Sequence, residues 1–301
     1  MHDPEHFEPL VSVLTGGRDR HYTLGLASAL AENGINLDFI GSDDLECEKL
    51  RQSPRVRFLN LRGDQSGGAS ILKKVFRVLA YYVRLLNYAA RSRAKIFHIL
   101  WNNKVEFFDR TLLMVFYKMR GKKVALTAHN VNAGQRDGYD SRVNRATLKI
   151  QYRLCDRIFV HTEKMRAELM EEFGVPAEKA VLIPYGWNNM VPTTALTGLE
   201  ARQRLGLSAT DKVILFYGHL APYKGLEFLV EAFEMAANED PSLRLVIAGR
   251  PRPQEYWQRV EAKIRASRHG GRILQRVEFV AESDTEIYFK AADVLALPYV
   301  Y

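Results

Sequence analysis

The chain has 301 residues, 47% of them apolar and 26% charged, a composition that builds cores and excludes a disordered tail or a collagen-like repeat. Its length is enough for two domains of ordinary size. The formal charge of +8 lies wholly in residues 1–190, which carry 29 Lys and Arg against 21 Asp and Glu, whereas residues 191–301 carry 14 of each. That asymmetry places an anionic partner on the first half. Two distant cysteines, Cys47 and Cys155, exclude a disulfide framework and point to a reducing cytoplasm. The opening MHDPEHFEPL lacks the regions of a secretion signal, and no apolar run is long enough to span a bilayer.

Residues 10–15, LVSVLT, read as a buried strand. Gly16 and Gly17 turn the chain, and an apolar-periodic helix runs over 21–33 to Gly34. The turn reads GGRDRH, not G-x-G-x-x-G, which ranks a nicotinamide dehydrogenase low. Further strands are predicted near 35–41, 55–61, 95–101, 122–129, 156–162 and 179–184, most of them separated by helix-length segments. This alternation implies an α/β unit with a parallel sheet covered on both faces. His129, Thr162 and Tyr185-Gly186 fall just past strand ends, where such sheets bind ligands.

One helix departs from this rhythm. Residues 66–95 contain no acid and seven bases, among them Lys73, Lys74, Arg77, Arg84 and Arg91. At helical spacing Lys73, Arg77, Arg84 and Arg91 form one stripe, with Val75, Leu79, Tyr82 and Leu86 opposite. The apolar side is expected to pack on the sheet. The basic side is either a solvated face or a patch for an anionic membrane surface or a phosphorylated acceptor. No nucleic-acid module accompanies the charge.

Residues 187–199 carry no charge and several turn formers, and read as a linker between domains 1–190 and 191–301. The second domain is predicted as strand 212–217, helix 225–238, strand 243–249, helix 254–268, strand 273–280, helix 284–291 and strand 294–299. Its first strand breaks at Gly218, a short loop holds His219 and Lys224, and Gly225 opens a helix. Such a strand–loop–helix aims backbone amides and one lysine at an anion.

The runs GHLAPYKGLEFLVEAF (218–233), AGRP (248–251), HTEKMRAEL (161–169), IPYG (183–186) and YFKAADVLALPY (288–299), in this order and spacing, resemble the retaining glycosyltransferases of the GT-B fold, family 4. The resemblance covers nearly the whole chain and is strongest from His129 onward. It implies two Rossmann-like domains facing a cleft, with the acceptor on the first and a nucleotide-sugar donor on the second. A hexose would pass from a UDP- or GDP-linked donor to a saccharide or lipid-linked acceptor, with retention, in the cytoplasm or on the inner face of the cell membrane.

The resemblance assigns Lys224 to the donor diphosphate, with His219 standing where an arginine often does. Gly218 and Gly225 belong to the same loop, and Gly249 and Arg250 would line the nucleotide pocket. His129 matches the histidine that reaches the transferred sugar, and Gly16 and Gly17 match the loop whose backbone approaches donor and acceptor. Asp137 and Asp140 are expected near the acceptor. With no D-x-D and no ligand cluster, no metal or other cofactor is expected, and front-face substitution assisted by the leaving phosphate is implied. The family's pattern continues with a Ser-Gly loop and a glutamate beyond Tyr301, so the second domain reads as truncated. An epimerase of the same fold and a non-catalytic binder of nucleotide, membrane or partner remain as alternatives.

Overall fold

In the computed structural model, which describes residues 8–17, 19–65, 68–186 and 194–300, the chain divides into two compact units, 1–190 and 191–301. The first unit runs β1 (Val11–Leu14), α1 (Arg20–Glu32), β2 (Leu37–Gly41), α2 (Glu48–Arg51), β3 (Val56–Asn60), α3 (Ile71–Arg91), β4 (Ile96–Ile99), α4 (Glu106–Arg110) and α5 (Leu112–Met119). It continues with β5 (Lys123–Thr127), α6 (Ala133–Arg136), α7 (Arg142–Leu154), β6 (Arg157–Val160), α8 (Glu163–Phe173) and β7 (Ala180–Leu182). The strands form one parallel sheet in the order β3-β2-β1-β4-β5-β6-β7. Every residue of β1 and β2 is buried, because helices cover both faces of the sheet, and the two polar side chains among them are bonded, Ser12 to Tyr88 and Asp38 to Arg57. Phe39, Leu24 and Leu37 fill one side, and Phe97, Leu85, Met114 and Tyr117 the other. Strand order reverses between β1 and β4, the place where sheets of this kind open a crevice at their C-terminal ends.

The second unit runs α9 (Gly198–Leu205), β8 (Lys212–Tyr217), α10 (Leu226–Glu239), β9 (Leu243–Ala248), α11 (Gln254–Ala266), β10 (Ile273–Arg276), α12 (Glu282–Ala291) and β11 (Val294–Leu295). Its parallel sheet has the order β10-β9-β8-β11, with the reversal between β8 and β11. Residues 187–193 of the expected linker lie outside the described residues. Its last two residues are helical instead: α9 starts at Gly198, and Thr197 and Glu200 close a reciprocal capping box at its N-terminus. The strand expected over 294–299 is a ladder of two residues, and Pro298, without an N–H, has nothing to donate to an extension.

The basic helix is α3, and its apolar side does not pack along its whole length. Tyr81, Tyr82, Leu85 and Ala89 are buried and Leu86 packs against them, but Val75 and Leu79 are exposed, with Ile71, Leu72, Phe76 and Val83. The expectation that the apolar side packs on the sheet therefore holds only for the C-terminal half. The basic stripe is also partly engaged: Arg77 pairs with Asp64, and Arg84 donates to the Leu61 carbonyl (3.3 Å). Lys73, Lys74 and Arg91 have no acidic partner among the described residues.

His98, in the middle of β4, is buried and hydrogen-bonded to Thr127 Oγ1 (2.8 Å). Burial pushes its pKa down to about 4. The unfolded chain takes up this proton near the ordinary histidine value while the folded one does not, so stability present above that value is lost as pH falls toward 4. Denaturant titration should therefore find that the native protein loses about 3 kcal/mol more between pH 7 and pH 4 than His98→Asn does.

Candidate active site

In the first unit, Gly16 and Gly17 follow β1 with φ of 62° and 70°. A Cβ on Gly16 would lie 2.5 Å from the Trp101 carbonyl oxygen, and one on Gly17 would lie 2.0 Å from Arg62 Nη1. Only glycine fits this left-handed turn at such close range. Asp19 also has a positive φ, 35°, and its side chain accepts from the Tyr22 amide (3.1 Å) to cap α1. Backbone strain of this kind gathers where a loop is held for function. Arg62 fixes the turn from below by donating to the Gly16 carbonyl (2.6 Å) and to Asn103 Oδ1 (3.1 Å).

Past the ends of β4, β5, β6 and β7, five rings meet. Trp101 stacks on His129 with centroids 4.0 Å apart and planes 5° from parallel. Tyr22 meets His129 edge-on at 4.7 Å, and His161 sits between His129 (5.3 Å) and Tyr185 (4.8 Å). Burial, then the neighbouring His161 and His98, push the His129 pKa down to about 3, so the ring is neutral at ordinary pH. Its Nε2 is buried without a hydrogen-bond partner. A neutral imidazole can share a hydrogen bond but cannot supply charge.

Beside it lies a small polar cavity of about 170 Å³ lined by His129, Asn102, Arg110, Asp137, Tyr139 and Gln151. Asn102 and Gln151 exchange two hydrogen bonds (3.1 and 2.7 Å) across it. Asp140, expected near an acceptor, is instead part of a brace: Asn144 (2.8 Å) and Arg145 (2.6 Å) donate to it, and Arg145 also reaches Glu172. Thr162 caps α8 by accepting from the Met165 amide (3.2 Å).

In the second unit, Gly218 ends β8 and Gly249 ends β9, with φ of 117° and 145°. A Cβ on Gly249 would lie 1.8 Å from the Gly218 carbonyl oxygen. Beyond this contact the two loops bond like a short ladder: Leu220 N–H donates to the Arg250 carbonyl (2.9 Å) and Arg252 N–H to the Leu220 carbonyl (2.8 Å). The ladder gathers His219, Arg250 and Arg252. Pro222–Lys224 then form a 3₁₀ turn, and Gly225 enters α10 with φ of 64° in a space where a Cβ would meet the Pro298 carbonyl oxygen at 2.2 Å. Lys224 Nζ lies back over Gly218 and 5.3 Å from the centre of the Tyr299 ring. The first residue of α10, Leu226, gives its amide to the Tyr256 hydroxyl, and no side chain caps the helix at Gly225. Partial burial, then Arg252, Lys224 and Arg250, hold the His219 pKa below its ordinary value. The loop is thus strongly electropositive where β8 and β9 end, a setting for an anion.

The structure brings Gly218, His219, Lys224, Gly225, Gly249 and Arg250 together in the second unit, and Gly16, Gly17 and His129 in the first. Lys73, Lys74, Arg77, Arg84 and Arg91 lie along α3, outside both clusters. Sequence reasoning missed Arg252, Arg62, Trp101 and His161. The doubled AGRPRP spacing was a signal for Arg252, whereas Arg62 is tied to the glycine turn only by the sheet's strand order. Among the described residues, no group of three or more His, Cys, Asp or Glu side chains converges as a metal would require.

Comparison with known proteins agrees with this architecture. The model of the family "Glycosyltransferase Family 4" matches residues 20–188, and that of "Glycosyl transferases group 1" matches residues 199–301. The chain is 23% identical to the D-inositol 3-phosphate glycosyltransferase of Corynebacterium glutamicum, over 97% of this chain and 73% of that protein. Among solved structures, the sucrose-phosphate synthase of Thermosynechococcus elongatus superposes with a TM-score of 0.72 at 19% identity, covering 98% of this chain and 76% of that one. Anabaena HepE in complex with UDP and glucose superposes at 0.69 and 14% identity, covering 95% and 73%. The fold is therefore GT-B.

The substitution Gly249→Ala should cost about 3 kcal/mol or more, because the new Cβ meets a carbonyl and the backbone conformation is unfavourable for any L side chain. Thermal unfolding checks this: the variant should melt well below the parent, whereas Gly271→Ala, where a Cβ meets nothing, should melt close to it.

Proposed function

The chain belongs to glycosyltransferase family 4, acting on nucleotide-sugar donors, and from that premise we propose that it moves a hexose from a UDP- or GDP-linked donor to a saccharide or lipid-linked acceptor with retention of configuration. The observation that carries this reading is the convergence of Lys224, Arg250 and Arg252 around the loops that follow β8 and β9. In the transfer the bond between the anomeric carbon and the donor phosphate oxygen breaks, and its electron pair stays on the diphosphate. A bond forms from the acceptor oxygen to the same face of that carbon, and the acceptor's proton goes to the departing phosphate. Charge thus develops on the diphosphate, and fixed cations and amides aimed there lower the barrier. We assign that task to Lys224, Arg250 and Arg252, with no metal.

His129 has a different part. Held neutral by burial, it serves as a hydrogen-bond partner for a sugar hydroxyl and not as a charged acid. The fixed Gly16-Gly17 turn exposes backbone at the end of β1, where the acceptor side of the reaction would lie.

The acceptor is proposed to sit at an anionic membrane surface. No described helix is long and apolar enough to cross a membrane. On α3, however, Ile71, Leu72, Val75, Phe76, Leu79 and Val83 are exposed, from 52% for Val75 to 83% for Leu72, and Lys73 and Lys74 stand among them. Exposed apolar side chains beside unpaired lysines suit the headgroup region of anionic lipid.

Calorimetry with UDP-glucose tests the donor site. Lys224→Ala should weaken binding about tenfold to a hundredfold, as loss of a hydrogen bond to a charged group does. A bound diphosphate raises the His219 pKa from its depressed value, so binding takes up a proton and should tighten as pH falls from 8 to 6, an effect absent in His219→Asn. Affinity indifferent to both substitutions would move the donor elsewhere. In flotation assays the protein should rise with vesicles containing phosphatidylglycerol and not with pure phosphatidylcholine. Leu72→Glu with Phe76→Glu should abolish this, and equal flotation with both lipids would contradict it.

A further inference from the structure

The N-terminal half of α3 leaves a space beneath it. Its Val75, Val78 and Leu79, together with Tyr82, Lys74 and the segment at Lys104, line a groove of about 580 Å³, within the size range of small-molecule sites. The floor is aliphatic and aromatic, and the lining holds four cations, Arg62, Lys74, Arg77 and Lys104, but no carboxylate. Arg77 is neutralised by Asp64, while Lys74 and Lys104 have no acidic partner among the described residues. Water in a groove with such a floor is readily displaced by apolar matter.

One end of the groove is connected to the glycine turn. Arg62 is only 7% exposed, its Nε has no hydrogen-bond partner, and its guanidinium sits 4.6 Å from the Tyr81 ring centre while donating to the Gly16 carbonyl. Tyr81 OH and Arg62 both donate to Asn103 Oδ1 (2.7 and 3.1 Å), and Asn103 and Tyr82 in turn donate to Asp109 Oδ1 (3.0 and 2.9 Å). Tyr82 OH also accepts from the Val105 amide (3.1 Å), which fixes the wall opposite α3. The groove is therefore built rather than an accidental gap: Arg62 and Asn103 close it at the turn, and an apolar body runs along the helix.

We propose that this groove binds the acceptor as an anionic amphiphile, with its phosphate held by Lys74 and Lys104 on the rim and its aliphatic chain along Val75, Val78 and Leu79. The proposal rests on the transferase reading for its meaning, but binding can be tested without turnover. The probe is decyl phosphate below its micelle concentration, titrated calorimetrically into the whole protein, with inorganic phosphate and decyl maltoside as the head alone and the tail alone. Decyl phosphate should bind at least tenfold more tightly than either. Val78→Trp, which fills the groove, and Lys104→Glu, on its exposed rim, should each weaken it at least tenfold, and Lys149→Glu on α7 should change it less than twofold. Equal binding of inorganic phosphate or of the maltoside would overturn the proposal, as would indifference to both groove variants. Binding seen only when decyl phosphate is carried in phosphatidylcholine vesicles would also overturn it, in favour of a purely surface contact. UDP affinity measured in the same samples separates the two claims. Retained UDP binding with lost decyl phosphate binding supports the groove, whereas failure of UDP to bind the parent protein counts against the transferase reading alone.

Discussion

The second unit's site depends on one close passage of backbone against backbone, Gly249 against the carbonyl of Gly218. With no Cβ in the way, the loops after β8 and β9 come near enough to exchange hydrogen bonds through Leu220, Arg250 and Arg252. Cationic side chains are thereby held at the end of a buried sheet, and burial first, then the neighbouring Arg252, Lys224 and Arg250, depress the His219 pKa there. An anion placed there would offset the like charges. The same logic operates in the first unit, where Gly16 and Gly17 let Trp101 and Arg62 approach the end of β1.

The two clusters differ in electrostatic character. The second unit collects positive charge, suited to a diphosphate. The first surrounds a neutral histidine with rings and small polar side chains, suited to hydroxyl groups. A transferase that parts a sugar from a diphosphate needs both environments, one to receive developing charge and one to orient an uncharged reactant.

Much of this was legible in the sequence, and the reasons for the exceptions are physical. Strands buried on both faces announce themselves as apolar runs, so β1 through β9 were placed within a few residues. The Gly218–Lys224 loop was found as a strand–loop–helix bounded by glycines, and the Gly249-Arg250 turn through the family resemblance. Arg62 was missed because its contact with Gly16 spans most of a βαβ unit and has no local pattern. The start of α9 was read as the end of the linker and its remainder was not predicted, although Thr197 and Glu200 carry the capping-box spacing, since eight helical residues leave a weak period. α3 was the instructive error: its periodicity is that of an ordinary amphipathic helix, but periodicity cannot say whether anything lies beneath the apolar side. Among the described residues nothing packs under its first turns, and the exposed residues there became the main clue to the acceptor.

The measurement that tests the account most directly is a crystal structure of the protein with UDP bound. Diphosphate oxygens should lie within about 3 Å of Lys224 Nζ, with Arg252 turned toward them. A nucleotide bound instead against the Gly16-Gly17 turn of the first unit, with the Lys224 loop empty, would contradict it.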